Sequence, residues 1–166
     1  DPLNSMFLSN KANVISLKNE LIKTTSNFQN KGIKYITFKG VVLANRLYDN
    51  IYIRCFSDID IFVNPENFDK ALTILYEDGY SLRYLESLQG LHHIVLKKGT
   101  IVLELHKNIL NPFTKIDETY MREHTENVVI SNQKIRTFDI TTTLLHLFYH
   151  LYMDTCLSSN NIYAIN

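Results

Sequence analysis

Apolar residues recur at helical spacing from Lys11 to Lys31, where Val14, Leu17, Leu21 and Phe28 hold to one stripe. Ser9 and Asn10 are its candidate caps and Gly32 its end. The period then shortens. Ile33 to Phe38 reads as a strand, Lys39-Gly40 as a tight turn, and Val41, Leu43, Ala44, Leu47 and Tyr48 as a return to helix. Asp49 to Ser57 reads as a loop, and Asp58 to Val63 as a mostly buried strand. Asn64-Pro65-Glu66-Asn67 stops that strand and launches a helix through Phe68, Ala71, Leu72 and Leu75, closed by Asp78-Gly79.

Tyr80 to Leu85 is expected to be extended. His92 to Leu96 and Ile101 to His106 are two β runs joined by Lys97-Lys98-Gly99-Thr100, a composition that suits a hairpin. Asn111-Pro112 breaks the pattern, and Thr114 to Glu126 reads as an irregular or helical connection. Val128 to Ile130 and Lys134 to Phe138 form a second expected hairpin about Ser131-Asn132-Gln133. A last helix starts near Asp139, an N-cap candidate, and carries Leu144, Leu145, Leu147, Phe148, Leu151 and Tyr152 around most of its circumference. Such a helix needs cover on more than one side, yet only the short polar stretch 157–166 follows. The expectation is either a chain that continues into a missing C-terminal region or a helix that packs in a homodimer.

At 166 residues and 45% hydrophobic content, the chain can build one core. Residues 1–8 fit no pattern and read as a tag or a disordered lead, 9–138 as the working domain, and 139–166 as the C-terminal helix. Seventeen basic and 17 acidic side chains balance, which gives no global pull toward nucleic acid. Cys55 and Cys156 are too few and too far apart for a disulfide framework or a zinc knuckle. With no stretch able to span a bilayer and no leader-like N-terminus, a cytoplasmic location is expected.

Charge matters more locally. Asp58 and Asp60 are two apart on a strand and point the same way, so two carboxylates share one small region. Either they hold a divalent cation through oxygen ligands or they mark the polar edge of a strand. Glu104, set among Ile101, Val102, Leu103 and Leu105, either joins them from a neighbouring strand or meets solvent at a sheet edge. Three converging acids can hold two magnesium ions and orient a nucleoside triphosphate. Lys39-Gly40, between strand and helix, offers backbone N–H groups, the helix dipole and a point charge to a phosphate, or is only a turn. Arg54 is a second candidate phosphate contact or a surface arginine paired with a local acid.

His106 shares a strand face with Glu104, where it could orient an acceptor or shuttle a proton, or sit as a satisfied half-buried histidine. His92 and His93 point to opposite faces, so at most one reaches that region. His146, His150 and Asp154 follow at i, i+4, i+8; a polar interhelical seam is the preferred reading over a transition-metal site.

Phe38-Lys39-Gly40-Val41-Val42-Leu43-Ala44, then Leu47-Tyr48, Arg54, Ser57-Asp58-Ile59-Asp60-Ile61-Phe62-Val63 and Asp78-Gly79-Tyr80, resemble the uncharacterised nucleotidyltransferase family of the polymerase β-like superfamily. His92-His93, Val102-Leu103-Glu104-Leu105-His106 and the leucine- and histidine-rich last helix extend the resemblance to about His150. It implies an α+β fold, a mixed β-sheet with flanking helices, and metal-dependent transfer of a nucleoside monophosphate from a triphosphate to an acceptor hydroxyl, with release of pyrophosphate. It also implies that Asp58, Asp60 and Glu104 bind metal, two Mg2+ ions or Mn2+, with Glu104 assisting deprotonation of the acceptor. Lys39, Gly40, Arg54 and Ser57 are the candidate nucleotide contacts, and ATP is the default nucleotide. Lys39-Gly40 stands where the wider superfamily has Gly-Ser, so a serine contact to phosphate is absent. The acceptor is not legible. A non-catalytic nucleotide- or partner-binding module of the same fold is the second reading. A metal-dependent nuclease comes third, because His106 stands where one common nuclease arrangement has lysine.

Overall fold

A seven-stranded sheet in the order β3-β4-β5-β2-β1-β7-β6 organises the chain. The computed structural model describes residues 1–83, 93–110 and 117–163, with side chains throughout except at Asp154 and 156–163. The strands are β1 (Tyr35–Phe38), β2 (Asp58–Val63), β3 (Ser81–Leu82), β4 (His93–Lys98), β5 (Ile101–His106), β6 (Thr125–Ile130) and β7 (Gln133–Phe138). The helices are α1 (Pro2–Asn30), α2 (Gly40–Leu47), α3 (Pro65–Glu77), α4 (Thr119–Glu123) and α5 (Ile140–Tyr163). A 3-10 turn, Ile51–Ile53, interrupts the loop before β2. The sheet is mixed: β1 runs antiparallel to β2 and parallel to β7, and β2 runs parallel to β5.

Side-chain alternation on the two central strands divides the molecule into two layers. Ile59, Ile61 and Val63 of β2, with Ile101, Leu103 and Leu105 of β5, enter the larger core with Leu17, Leu21 and Phe28 of α1 and Ala71 and Leu75 of α3. The intervening residues face the other side. There Ile36, Phe38, Phe62 and Phe138 meet Ile109, Leu110 and Met121 in a smaller core. Asp58, Asp60, Glu104 and His106 belong to that second face, because period two leaves them no other.

Several boundaries differ from expectation. Helix α1 begins at Pro2, well before Lys11: Asp1 accepts a hydrogen bond from the Leu3 N–H and proline occupies the first helical turn. Its opening turns carry no buried stripe, so Leu3, Met6 and Leu8 stay exposed, and hydrophobic periodicity could not announce them. Both hairpins are tighter than expected, Gly99-Thr100 joining β4 to β5 and Ser131-Asn132, both at positive φ, joining β6 to β7. Of the expected strand Tyr80 to Leu85, only Ser81–Leu82 is seen as β, and Tyr84 and Leu85 lie outside the described residues. Asp139 caps α5 as expected, its Oδ1 accepting from the Thr142 N–H at 2.7 Å. Helix α5 buries Thr142 and His146 while Leu144, Leu145, Phe148, Leu151 and Tyr152 are exposed. Among the described residues no helix is long and apolar enough to cross a membrane.

Candidate active site

The parallel pairing of β2 with β5 sets Asp60 directly opposite Glu104, and Asp58 opposite Val102. Antiparallel pairing on the other side sets Phe38, the last residue of β1, opposite Asp60. The turn Lys39-Gly40 therefore leaves β1 at the level of the carboxylates. Sequence spacing put the three acids on one face of their strands; the register brings the strands together.

Asp60 is the buried centre, 3% exposed. Lys39 Nζ donates to its Oδ1 at 3.1 Å, and His106 Nε2 lies 3.3 Å from the same oxygen. His106 Nε2 is also 3.4 Å from Glu104 Oε2. One ligand atom each from Asp60, Glu104 and His106 falls within 4.8 Å of the others, a set of oxygen and nitrogen donors compact enough to surround a metal ion. Asp58, half-buried, is not in that tight set but feels its charge.

Burial and neighbours drive these groups apart in acidity. Burial pushes the Asp60 carboxyl up, but the hydrogen bond with His106 and the charge of Lys39 outweigh it and hold the group below the usual range. The hydrogen bond with His106 likewise lowers Glu104. Burial opposes charge on His106, yet its hydrogen bonds with Asp60 and Glu104 raise it above the ordinary histidine value. Asp58 goes the other way: burial, then repulsion from Asp60 and Glu104, raise it. That repulsion is the signature of a carboxylate group short of cations, and the donor set fits a divalent one.

The turn itself is unusual. Lys39 has φ 57 and ψ −145, a region that belongs almost wholly to glycine and costs another residue about 1–3 kcal/mol. Gly40 follows at φ +30, and a Cβ there would come within 3.1 Å of the Asp58 carbonyl oxygen, so a larger residue would strain the turn and press α2 away from the start of β2. Arg54 Nη1 donates to the Gly40 carbonyl at 2.9 Å, which ties the loop before β2 to the turn rather than to a local acid. Ser57 is exposed immediately before β2. The charge of Lys39 is directed inward, at Asp60.

Two histidines that sequence reasoning did not assign adjoin the group. His93 pairs across the hairpin with His106, ring centroids 4.9 Å apart, and its Nε2 is 3.9 Å from Glu104 Oε2. His92 lies outside the described residues. From α5, His146 packs edge-on against Phe38 at 5.0 Å, and Phe38 meets His106 at the same distance on another side. Burial, with Lys39 nearby, pushes the His146 imidazole down to about 3, so it is neutral at ordinary pH. His146 and His150 lie on the same face of α5, rings 6.3 Å apart, and His146 packs against Phe38 and Phe138 of the sheet, a helix–sheet contact where an interhelical seam was expected; the Asp154 side chain lies outside the described residues.

The chain shares this arrangement of sheet and helices with the solved structures of a candidate nucleotidyltransferase and of an antibiotic-resistance factor. A candidate nucleotidyltransferase from Thermotoga maritima superposes with a TM-score of 0.70 at 14% identity, over 89% of this chain and 92% of that one. ANT(2″)-Ia, solved in complex with adenylyl-2″-tobramycin, gives 0.60 at 13% identity, over 81% and 76% of the two chains. A solution structure of the same antibiotic-resistance factor gives 0.57 at 15%, over 79% and 70%. By sequence the chain belongs to the uncharacterised nucleotidyltransferase family, whose model matches residues 1–165. No curated protein matches it at the sequence level.

Proposed function

We propose that this protein transfers a nucleoside monophosphate from a triphosphate to an acceptor hydroxyl and releases pyrophosphate. The observation that carries the reading is the β2–β5 register, which sets Asp60 beside Glu104 on the face that Asp58 shares, one residue from the level of the Lys39-Gly40 turn. Asp58, Asp60 and Glu104 are the proposed metal ligands, with His106 completing or orienting the set. A divalent cation, two Mg2+ ions or Mn2+, would when bound neutralise phosphate charge and favour the ionised form of the attacking hydroxyl.

The chain's own residues then have separate tasks. Arg54, by gripping the Gly40 carbonyl, holds the turn open to a phosphate at the start of α2. Lys39, part-exposed, is the cation that can leave Asp60 for a phosphate oxygen. Glu104, kept ionised by His106, is placed to accept the acceptor's proton, and His106 fixes the carboxylates of Asp60 and Glu104 relative to one another. We take ATP as the first nucleotide to test, and a cytoplasmic location is part of the proposal.

One observation favours a second reading, a nucleotide-binding module without turnover: the Lys39 ammonium already occupies a cation position on Asp60. Two measurements on the same protein separate them. Magnesium-dependent thermal stabilisation by ATP is expected in both cases and must vanish in Asp58→Asn/Asp60→Asn. Release of pyrophosphate across an acceptor screen is expected only of the enzyme; a response to ATP that survives the double substitution removes both readings.

A further inference from the structure

At the opposite end of β1 and β2 from the carboxylates, a cavity of about 200 Å³ is lined by Lys34, Phe62, Asn64, Arg122 and Arg136, with Tyr35 and Ile36 behind them. Its charges are unbalanced. Arg122 Nη2 pairs with Glu118 Oε2 at 2.9 Å, and its guanidinium lies 5.1 Å from the Phe62 ring centroid. Arg136 Nε donates to the Thr125 hydroxyl at 2.9 Å, and neither Arg136 nor Lys34 has a salt bridge among the described residues. Arg122 Nε is buried with no hydrogen-bond partner among them. Among the described residues three cations and no carboxylate line the cavity; Glu118 and Asp117, which Arg122 attracts, and Glu66, which accepts from Asn64, stand outside its lining.

Cations gathered without matching acids repel one another, and an anion offsets that cost. From this geometry we propose that the cavity is a binding site for a small oxyanion, a phosphate or carboxylate group, either free or at the end of a larger molecule. The two arginines supply planar forks suited to two-point contact with such a group, and Lys34 supplies a point charge at the rim. Phe62 and Ile36 form an apolar floor that an attached hydrocarbon or ring would cover. The site is separate from the carboxylates. Asn64 is four residues beyond Asp60 on the course of β2, about 13 Å by strand rise, and Phe62 with its smaller-core neighbours stands between. The inference does not depend on the metal reading.

Inorganic phosphate is the probe, titrated against the full chain without divalent metal, with sodium chloride at matched ionic strength as the control. Calorimetry should show saturable phosphate binding in the unsubstituted protein. Lys34→Gln, at an exposed position, should weaken it about tenfold, and Lys34→Gln/Arg136→Gln should weaken it further, as expected for loss of charge-assisted hydrogen bonds. Lys39→Gln should leave it unchanged. If phosphate binding is absent, or is lost in Lys39→Gln and kept in Lys34→Gln, the proposal fails; the second outcome would assign phosphate to the carboxylate site. A phosphomonoester that binds at least tenfold more tightly than phosphate would identify the anion as part of a larger molecule, and equal affinity would identify a free anion; both support the site.

Discussion

Lys39 reaches Asp60 from a backbone conformation that lysine rarely adopts: the ammonium is 3.1 Å from Asp60 Oδ1 while its φ is 57. Backbone strain and a buried ion pair therefore act in opposite directions at one residue. Lys39→Ala and Lys39→Gly both remove the pair, and only the second relieves the strain. Glycine at 39 is expected to be the more stable of the two variants by about 1–2 kcal/mol in urea denaturation, the reverse of the usual order. An alanine variant as stable as the glycine variant would show that the turn carries no strain.

Asp60→Asn and Asp58→Asn should shift metal-free stability in opposite directions. The first leaves His106 and Lys39 without their shared carboxylate in a buried setting and should cost about 3 kcal/mol. The second removes a carboxylate that burial and the charges of Asp60 and Glu104 already disfavour, and should raise stability slightly. Denaturation in the presence of a chelator measures both, and destabilisation by Asp58→Asn would show that its charge is compensated without metal.

Metal affinity should rank the same side chains. With manganese as a spectroscopic probe, Asp60→Asn and Glu104→Gln should abolish tight binding. His106→Gln, which keeps a hydrogen-bonding group beside both carboxylates, should lower affinity about tenfold. Unchanged affinity in Asp60→Asn would move the metal away from β2.

His146 should make the fold sensitive to acid well above the carboxylate range. Its folded value, about 3, lies below the ordinary 6.5, so the native state resists a proton that the unfolded chain accepts. The stability it contributes is present above pH 6.5 and lost as pH falls toward about 3, amounting to roughly 2 kcal/mol between neutral pH and pH 5. His106 has the opposite sign: it is raised, so its contribution is complete below 6.5 and fades as pH rises through its folded value. The variant His146→Gln should flatten the acid limb of a stability–pH curve, and His106→Gln should flatten the decline above pH 6.5. An acid limb unaltered by His146→Gln would mean that His146 takes up its proton without unfolding.

Alternation along Asp58 to Val63 and Ile101 to His106 was enough to place the acids on one face of each strand, and the expected mixed sheet with flanking helices is the fold the chain has. What joins those faces is long-range pairing, which no local pattern contains. His93 could not be chosen over His92 until the β4–β5 register paired it with His106. His146 was visible as part of a helical stripe, but its place against Phe38 depends on how α5 returns over the sheet. The conformation of Lys39 left no trace in composition; the one available signal was a lysine standing where the wider superfamily has glycine.

The strict alternation along β2 couples chemistry to folding in an all-or-none way. A shift of pairing by a single residue would turn Asp58 and Asp60 into the larger core and carry Ile59 and Ile61 out of it, so the fold and the carboxylate cluster would be lost together. The cluster can be silenced by one substitution that leaves the sheet standing, but it cannot migrate along the strand in small steps. Descendants of such a chain would keep the site where it is or lose it outright, and any diversification of the reaction would be confined to the loops and helices around it.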